Sequence, residues 1–143
     1  ITTTKVKFIL TLPQDLFIKN FKYNTDLILN VGPVDLNDCP YLYSKSDALF
    51  LPTLVETFTA SYPEAMIMNK PILTSDYPFS RSVCKDAALY FDPYDINDVM
   101  SKIFEITSNK DLYNSLINKG SFCVKRMPSC MDMTKKYLDV CDL

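Results

Sequence analysis

Five short runs of apolar, β-branched or aromatic residues set the limits on what this chain can fold into. They span residues 6–12, 27–31, 48–51, 71–74 and 88–91, and each runs into a strand-breaking residue: Pro13, Gly32-Pro33, Pro52, Ser75-Asp76 and Asp92-Pro93. Runs this short and this continuously apolar are expected of parallel strands covered on both faces. Between them lie helix signals: Leu16-Phe17-Ile18, residues 39–46, and residues 65–68 behind a Ser61-x-x-Glu64 start. Strands alternating with helices predict an α/β chain, a doubly wound, Rossmann-like parallel sheet of about five strands with helices on both faces. A helical C-terminal tail follows. Asp95 is the expected N-cap of a helix whose stripe Ile96, Val99, Met100, Ile103 and Phe104 is expected to pack into the core. A second helix carries Leu112, Leu116 and Ile117 and is expected to stop at Gly120. A third, after Pro128, places Cys130, Thr134, Tyr137 and Cys141 on one face.

The third strand leads into the most informative corner. Leu49-Phe50-Leu51-Pro52 passes through a polar loop, Thr53 to Ala60, into the helix that opens at Ser61, with Glu56 and Glu64 on either side of the turn. In open parallel sheets, ligands collect beyond the carboxyl ends of strands, where the next helix aims backbone N–H groups outward. Carboxylates there serve as acceptors for neutral hydroxyls, such as those of a sugar or a ribose. Each glutamate also has a purely structural reading. Ser61-Tyr62-Pro63-Glu64 fits a capping box, with the Glu64 carboxylate reaching back to the Ser61 N–H, and Glu56 fits a solvated loop position. Thr57 and Thr59 fit helix caps equally well.

Composition narrows the function classes. With 143 residues, 48% of them hydrophobic, the chain is expected to form a single domain over residues 1–143. A formal charge of −2 with scattered Lys and Arg gives no footprint for nucleic acid or an anionic membrane. No apolar run approaches the roughly 18 residues of a membrane span, and no signal peptide is evident. Five cysteines without a C-x-x-C pair or any histidine point to reduced thiols in a cytoplasmic protein and to no metal site. Gly32 and Gly120 are the only glycines, so a glycine-rich phosphate loop is excluded within these residues.

The spacing Glu56-x7-Glu64, with Phe58 between the two and Pro63-Glu64-Ala65-Met66 at its end, resembles the E-x7-E signature of retaining glycosyltransferases of the GT-B fold, the family 4 or group 1 type. Ser46-Asp47-Ala48-Leu49-Phe50-Leu51-Pro52 resembles that family's approach strand, Asn69-Lys70-Pro71-Ile72-Leu73-Thr74-Ser75-Asp76 its next strand and turn, and Asp86-Ala87-Ala88-Leu89-Tyr90-Phe91-Asp92-Pro93 its last strand. The likeness runs from Lys5 to Gly120.

The resemblance implies the nucleotide-sugar-binding, C-terminal half of such an enzyme, beginning after the first strand and glycine-rich loop of that half. Glu56 would stand at the donor sugar and the reacting carbon, Glu64 at the ribose hydroxyls, and Gly32, Pro33 and Val34 near the base. Thr57-Phe58-Thr59 replaces the usual Gly-Phe-Gly; its backbone amides would bind sugar or phosphate from a loop of different shape. The donor would be a nucleotide diphosphate sugar, with no cofactor or metal. An acceptor saccharide or lipid would be held by an N-terminal half outside these residues, so the isolated chain is expected to be inactive. Self-association through an open sheet edge is a further expectation. Without the resemblance, the residues also allow a non-catalytic doubly wound binding or regulatory module.

Overall fold

The computed structural model describes residues 6–21, 26–57 and 59–141. The chain divides into two compact units, Ile1–Asp47 and Ala48–Leu143.

In the first unit, strand β1 (Phe8–Leu10) precedes helix α1 (Gln14–Asn20), and strand β2 (Ile28–Asn30) precedes helix α2 (Cys39–Ser44). The strands pair in parallel, Phe8 opposite Ile28 and Leu10 opposite Asn30. Asn30 extends the ladder with its side chain: its amide nitrogen donates to the Leu12 carbonyl and its amide oxygen accepts the Leu12 N–H, each at 3.0 Å. Residues 6–12 were expected to be buried on both faces, yet β1 is only half-buried throughout. Two three-residue strands and two short helices offer too little apolar surface to cover both sides of a sheet.

The second unit holds strand β3 (Leu49–Leu51), helix α3 (Ser61–Ile67), strand β4 (Ile72–Ser75), helix α4 (Pro78–Cys84) and strand β5 (Ala88–Phe91). Helices α5 (Ile96–Ser108), α6 (Lys110–Lys125) and α7 (Cys130–Val140) complete it. Its sheet has the order β3-β4-β5, all parallel, with Phe50 opposite Leu73 and Leu73 opposite Leu89. The central strand β4 is buried at every position, as a strand flanked on both edges should be. Around it pack Tyr62, Met66, Cys84, Phe91, Ile103, Ile106 and Leu116. Phe50 stacks on Phe91 with ring centroids 5.3 Å apart, which ties the outer strands together across β4.

Four strands lie within the expected runs, β4 continues one residue past its own to Ser75, and the α/β class stands. Among the described residues, however, the strands hydrogen-bond as a pair and a triplet, not as one five-stranded ladder. Two helical expectations also change. Gly120 does not end its helix; α6 runs on to Lys125. A Cβ at Gly120 would lie 3.2 Å from the Met66 Cγ, so the glycine is there to let α6 close on α3. Asp95 caps α5 as expected, its carboxylate accepting the N–H of Asn97 and Asp98. The stripe behind it is only partly core, since Ile103 is buried while Ile96, Met100 and Phe104 are 69%, 57% and 72% exposed, and Ile106, outside the stripe, is buried instead. The inward face of α5 is therefore rotated from the predicted one.

Candidate functional site

The corner between β3 and α3 is built on a buried hydroxyl chain. Thr74, at the C-terminal end of β4, donates its one hydroxyl proton to the carbonyl of Leu51, the last residue of β3, at 3.1 Å. The Tyr62 hydroxyl lies 2.7 Å from the same Thr74 oxygen. With the threonine proton committed to Leu51, Tyr62 must be the donor in that second bond. Tyr62 is 1% exposed, and burial raises the pKa of its phenol. The first turn of α3 is thus pinned to the ends of two strands, and the loop carrying Glu56 leaves from that anchored point.

Glu56 is half-buried in this loop. The Thr53 hydroxyl, shared with the Val55 carbonyl at 3.3 Å, donates to Glu56 Oε1 at 3.4 Å. The carboxylate is also close enough to Tyr62 to disfavour phenolate. Glu56 is therefore a partly covered loop side chain with the Thr53 hydroxyl as a neighbour.

At the helix start, the capping box does not form as drawn. Ala60, not Ser61, is the N-cap, no side chain bonds at the cap position, and the Glu64 N–H donates to the Ala60 carbonyl at 3.0 Å. Thr59 takes over the start, its hydroxyl accepting the Ser61 N–H at 3.3 Å. Glu64 is half-buried in the first turn. Thr57 is exposed in the loop, and Phe58 lies outside the described residues. Gly32, Pro33 and Val34 follow β2 in the first unit; Gly32 has φ +78° and no atom within 4 Å of where a Cβ would stand, so only its backbone angle calls for glycine.

Asp76 and Arg81, at the next strand end, bind each other. The Arg81 Nη2 donates to Asp76 Oδ2 at 2.7 Å, its Nε donates to Oδ1, and the guanidinium lies 4.3 Å from the Tyr90 ring centre. The Arg81 hydrogen bonds hold the Asp76 carboxyl below the usual carboxylate range. The pair acts as loop structure. Cys84 is a core residue whose thiol burial pushes up to about 12. No group of three or more His, Cys, Asp or Glu suited to a metal ion occurs among the described residues. None of the described helices is long and apolar enough to cross a membrane.

Sequence reasoning missed the structural pair Tyr62 and Thr74. The signal was a lone hydroxyl at the end of an otherwise aliphatic run, Ile72-Leu73-Thr74, where a buried oxygen requires a partner.

Residues 15–121 match the family described as glycosyl transferases group 1. The chain belongs to that family. Among curated relatives, the O-antigen chain mannosyltransferase RfbU of Salmonella typhimurium is 33% identical over 93 residues, covering 65% of this chain and 26% of that protein. This group 1 chain therefore spans about a quarter of the length of the curated relative it matches. Among solved structures, sucrose-phosphate synthase from Thermosynechococcus elongatus superimposes with a TM-score of 0.79 at 18% identity, over 95% of this chain and 38% of that one. TarM superimposes with a TM-score of 0.78 at 19% identity, over 96% of this chain and 29% of its own. At such identities the likeness speaks for the fold, and it agrees with the α/β, GT-B type of architecture.

Proposed function

We propose that this group 1 chain is the donor-binding part of a glycosyltransferase that moves a sugar from a nucleotide diphosphate sugar to an acceptor with retention of configuration. The observation that carries this reading is the anchored corner: Glu56, with the Thr53 hydroxyl 3.4 Å from its carboxylate, lies in the loop that leaves β3 where the Tyr62–Thr74–Leu51 chain ties α3 to two strands.

In this reading Glu56 orients the donor sugar and stabilises positive charge developing at its reacting carbon. Glu64 accepts hydrogen bonds from the ribose hydroxyls. The backbone amides of Thr57, Phe58 and Thr59 meet sugar or phosphate oxygens, and Gly32, Pro33 and Val34 pack near the base. Catalysis would rest on positioning and electrostatics, with no resident cofactor or metal. The acceptor, a saccharide or lipid, would be held by parts of the protein beyond this chain, in the cytoplasm. A mannosyl donor is the first to test, because the relative at 33% identity is named as a mannosyltransferase.

The test is a titration of nucleotide diphosphate sugars into the isotope-labelled protein, read by amide shifts. Saturable shifts at residues 53–64 are expected. Silence there, with the rest of the spectrum intact, would overturn the reading and favour a non-catalytic module.

A further inference from the structure

The second unit carries another concavity at the opposite edge of its sheet. Parallel strands all begin at one edge, and β5 begins at Ala88. The Lys85-Asp86 turn just before it therefore lies at the N-terminal edge, away from the strand ends that lead to Glu56 and Asp76. A cavity of about 660 Å³ opens there, lined among others by Lys85, Asp86, Asn118, Lys119, Phe122 and Arg126.

Its charge is lopsided. Three cations face one carboxylate, and that carboxylate is engaged, with Asp86 Oδ2 3.6 Å from Lys119 Nζ. Among the described residues no carboxylate forms an ion pair with Lys85 or Arg126. Two cationic residues without such a partner thus line one hollow in a chain whose formal charge is −2. The Arg126 guanidinium lies over the Phe122 ring, 5.1 Å from its centre, which limits its freedom. A flat guanidinium so held is suited to binding an oxyanion through two N–H groups.

The backbone gives an independent observation. Lys85 has φ 51° and ψ −116°, and the Ala87 N–H donates to the Cys84 carbonyl at 2.8 Å. That is a turn of type II′ with lysine in the position where glycine is favoured. The strained turn is held by the Lys85 N–H bond to the Arg81 carbonyl at 3.0 Å and by the Tyr90 hydroxyl, which donates to the Lys85 carbonyl. A lysine kept in a geometry that glycine would adopt more easily points to a use for its ammonium group.

We propose that this cavity binds the phosphate group of a phosphate ester. Lys85 and Arg126 take its oxygens, Lys119 adds a third positive charge beside its contact with Asp86, and the Phe122 ring offers an apolar wall to the rest of the ligand. The site is separate from the donor corner and does not depend on the reading given for it.

The test is a titration of glucose 6-phosphate, with glucose as control, into the labelled full chain at low ionic strength. Saturable amide shifts at Asp86, Asn118 and Phe122 are expected with the phosphate ester and not with glucose. Lys85→Gly relieves the turn while removing the charge, so it keeps the fold, and its affinity should drop about tenfold. Arg126→Gln should do the same. A second arm is sedimentation with vesicles of phosphatidylcholine containing phosphatidylglycerol. Retention there that Arg126→Gln abolishes, without a response to glucose 6-phosphate, assigns the phosphate to a lipid headgroup; the reverse pattern assigns it to a soluble ester. No saturable response to either probe, or undiminished affinity in both variants, overturns the proposal.

Discussion

Replacing Tyr62 by phenylalanine removes one hydroxyl from a chain of three groups and leaves the ring in place. The lost bond is buried and neutral, and Thr74 still donates to the Leu51 carbonyl, so no donor is orphaned. The expected loss is therefore that of one ordinary buried hydrogen bond, about 1 kcal/mol. Thr74→Val is a different perturbation. It strips the Leu51 carbonyl of the threonine proton and leaves the Tyr62 hydroxyl, in a residue 1% exposed, without its partner. That should cost about 2–3 kcal/mol. The double variant should be more stable than the sum of the two losses by about 1 kcal/mol, because the tyrosine hydroxyl has no bond left to lose once Thr74 is gone. Urea unfolding of the four proteins, followed by circular dichroism, gives the cycle directly. Strict additivity, or a Tyr62→Phe midpoint equal to the parent's, would show that the hydroxyl chain does not anchor the corner.

Three further outcomes follow from the second unit. Gly120→Leu should destabilise by about 1–3 kcal/mol, since the added side chain would press on Met66, whose Cγ lies 3.2 Å from where a Cβ would stand; thermal unfolding reads the loss. The Arg81 contact lowers the Asp76 pKa, so the pair's contribution is complete above the unfolded value of about 3.9 and is lost as pH falls through the lower folded one. Asp76→Asn should accordingly flatten stability across that acid range and leave the neutral slope alone. Thiol reagents near pH 8 should modify exposed Cys141 quickly and spare Cys84, whose thiol stands at about 12 in the folded chain, until the protein is unfolded; equal rates, followed by mass spectrometry, would contradict the buried assignment.

The strands were legible because a short apolar run closed by a stop marks a parallel strand, and all five runs supply both, although only β4 is buried throughout. The Asp95 cap was legible because its partners are two and three residues away in sequence. What stayed hidden was settled by tertiary contact. Gly120 reads as a helix stop when only local propensity is considered, and becomes an interior residue once Met66 lies against it. The α5 stripe was placed by spacing, but Ile106, outside that stripe, turns inward and Phe104 outward. At the corner, Glu56 and Glu64 were singled out by their spacing, while the Tyr62 and Thr74 hydroxyls meet across twelve residues and left only a lone threonine as a sign. The capping box at Ser61 was a sound local pattern, but the N-cap falls at Ala60 and the Thr59 hydroxyl accepts the Ser61 N–H.

The most direct test of the central claim is steady-state sugar transfer by the full-length protein carrying Glu56→Gln or Glu64→Gln. The account predicts that Glu56→Gln lowers kcat by about a hundredfold or more with little change in nucleotide affinity, because its charge acts at the reacting carbon. It predicts that Glu64→Gln weakens nucleotide binding by about tenfold or more through the lost ribose contact. Two folded variants with parental kcat and parental nucleotide affinity would contradict it.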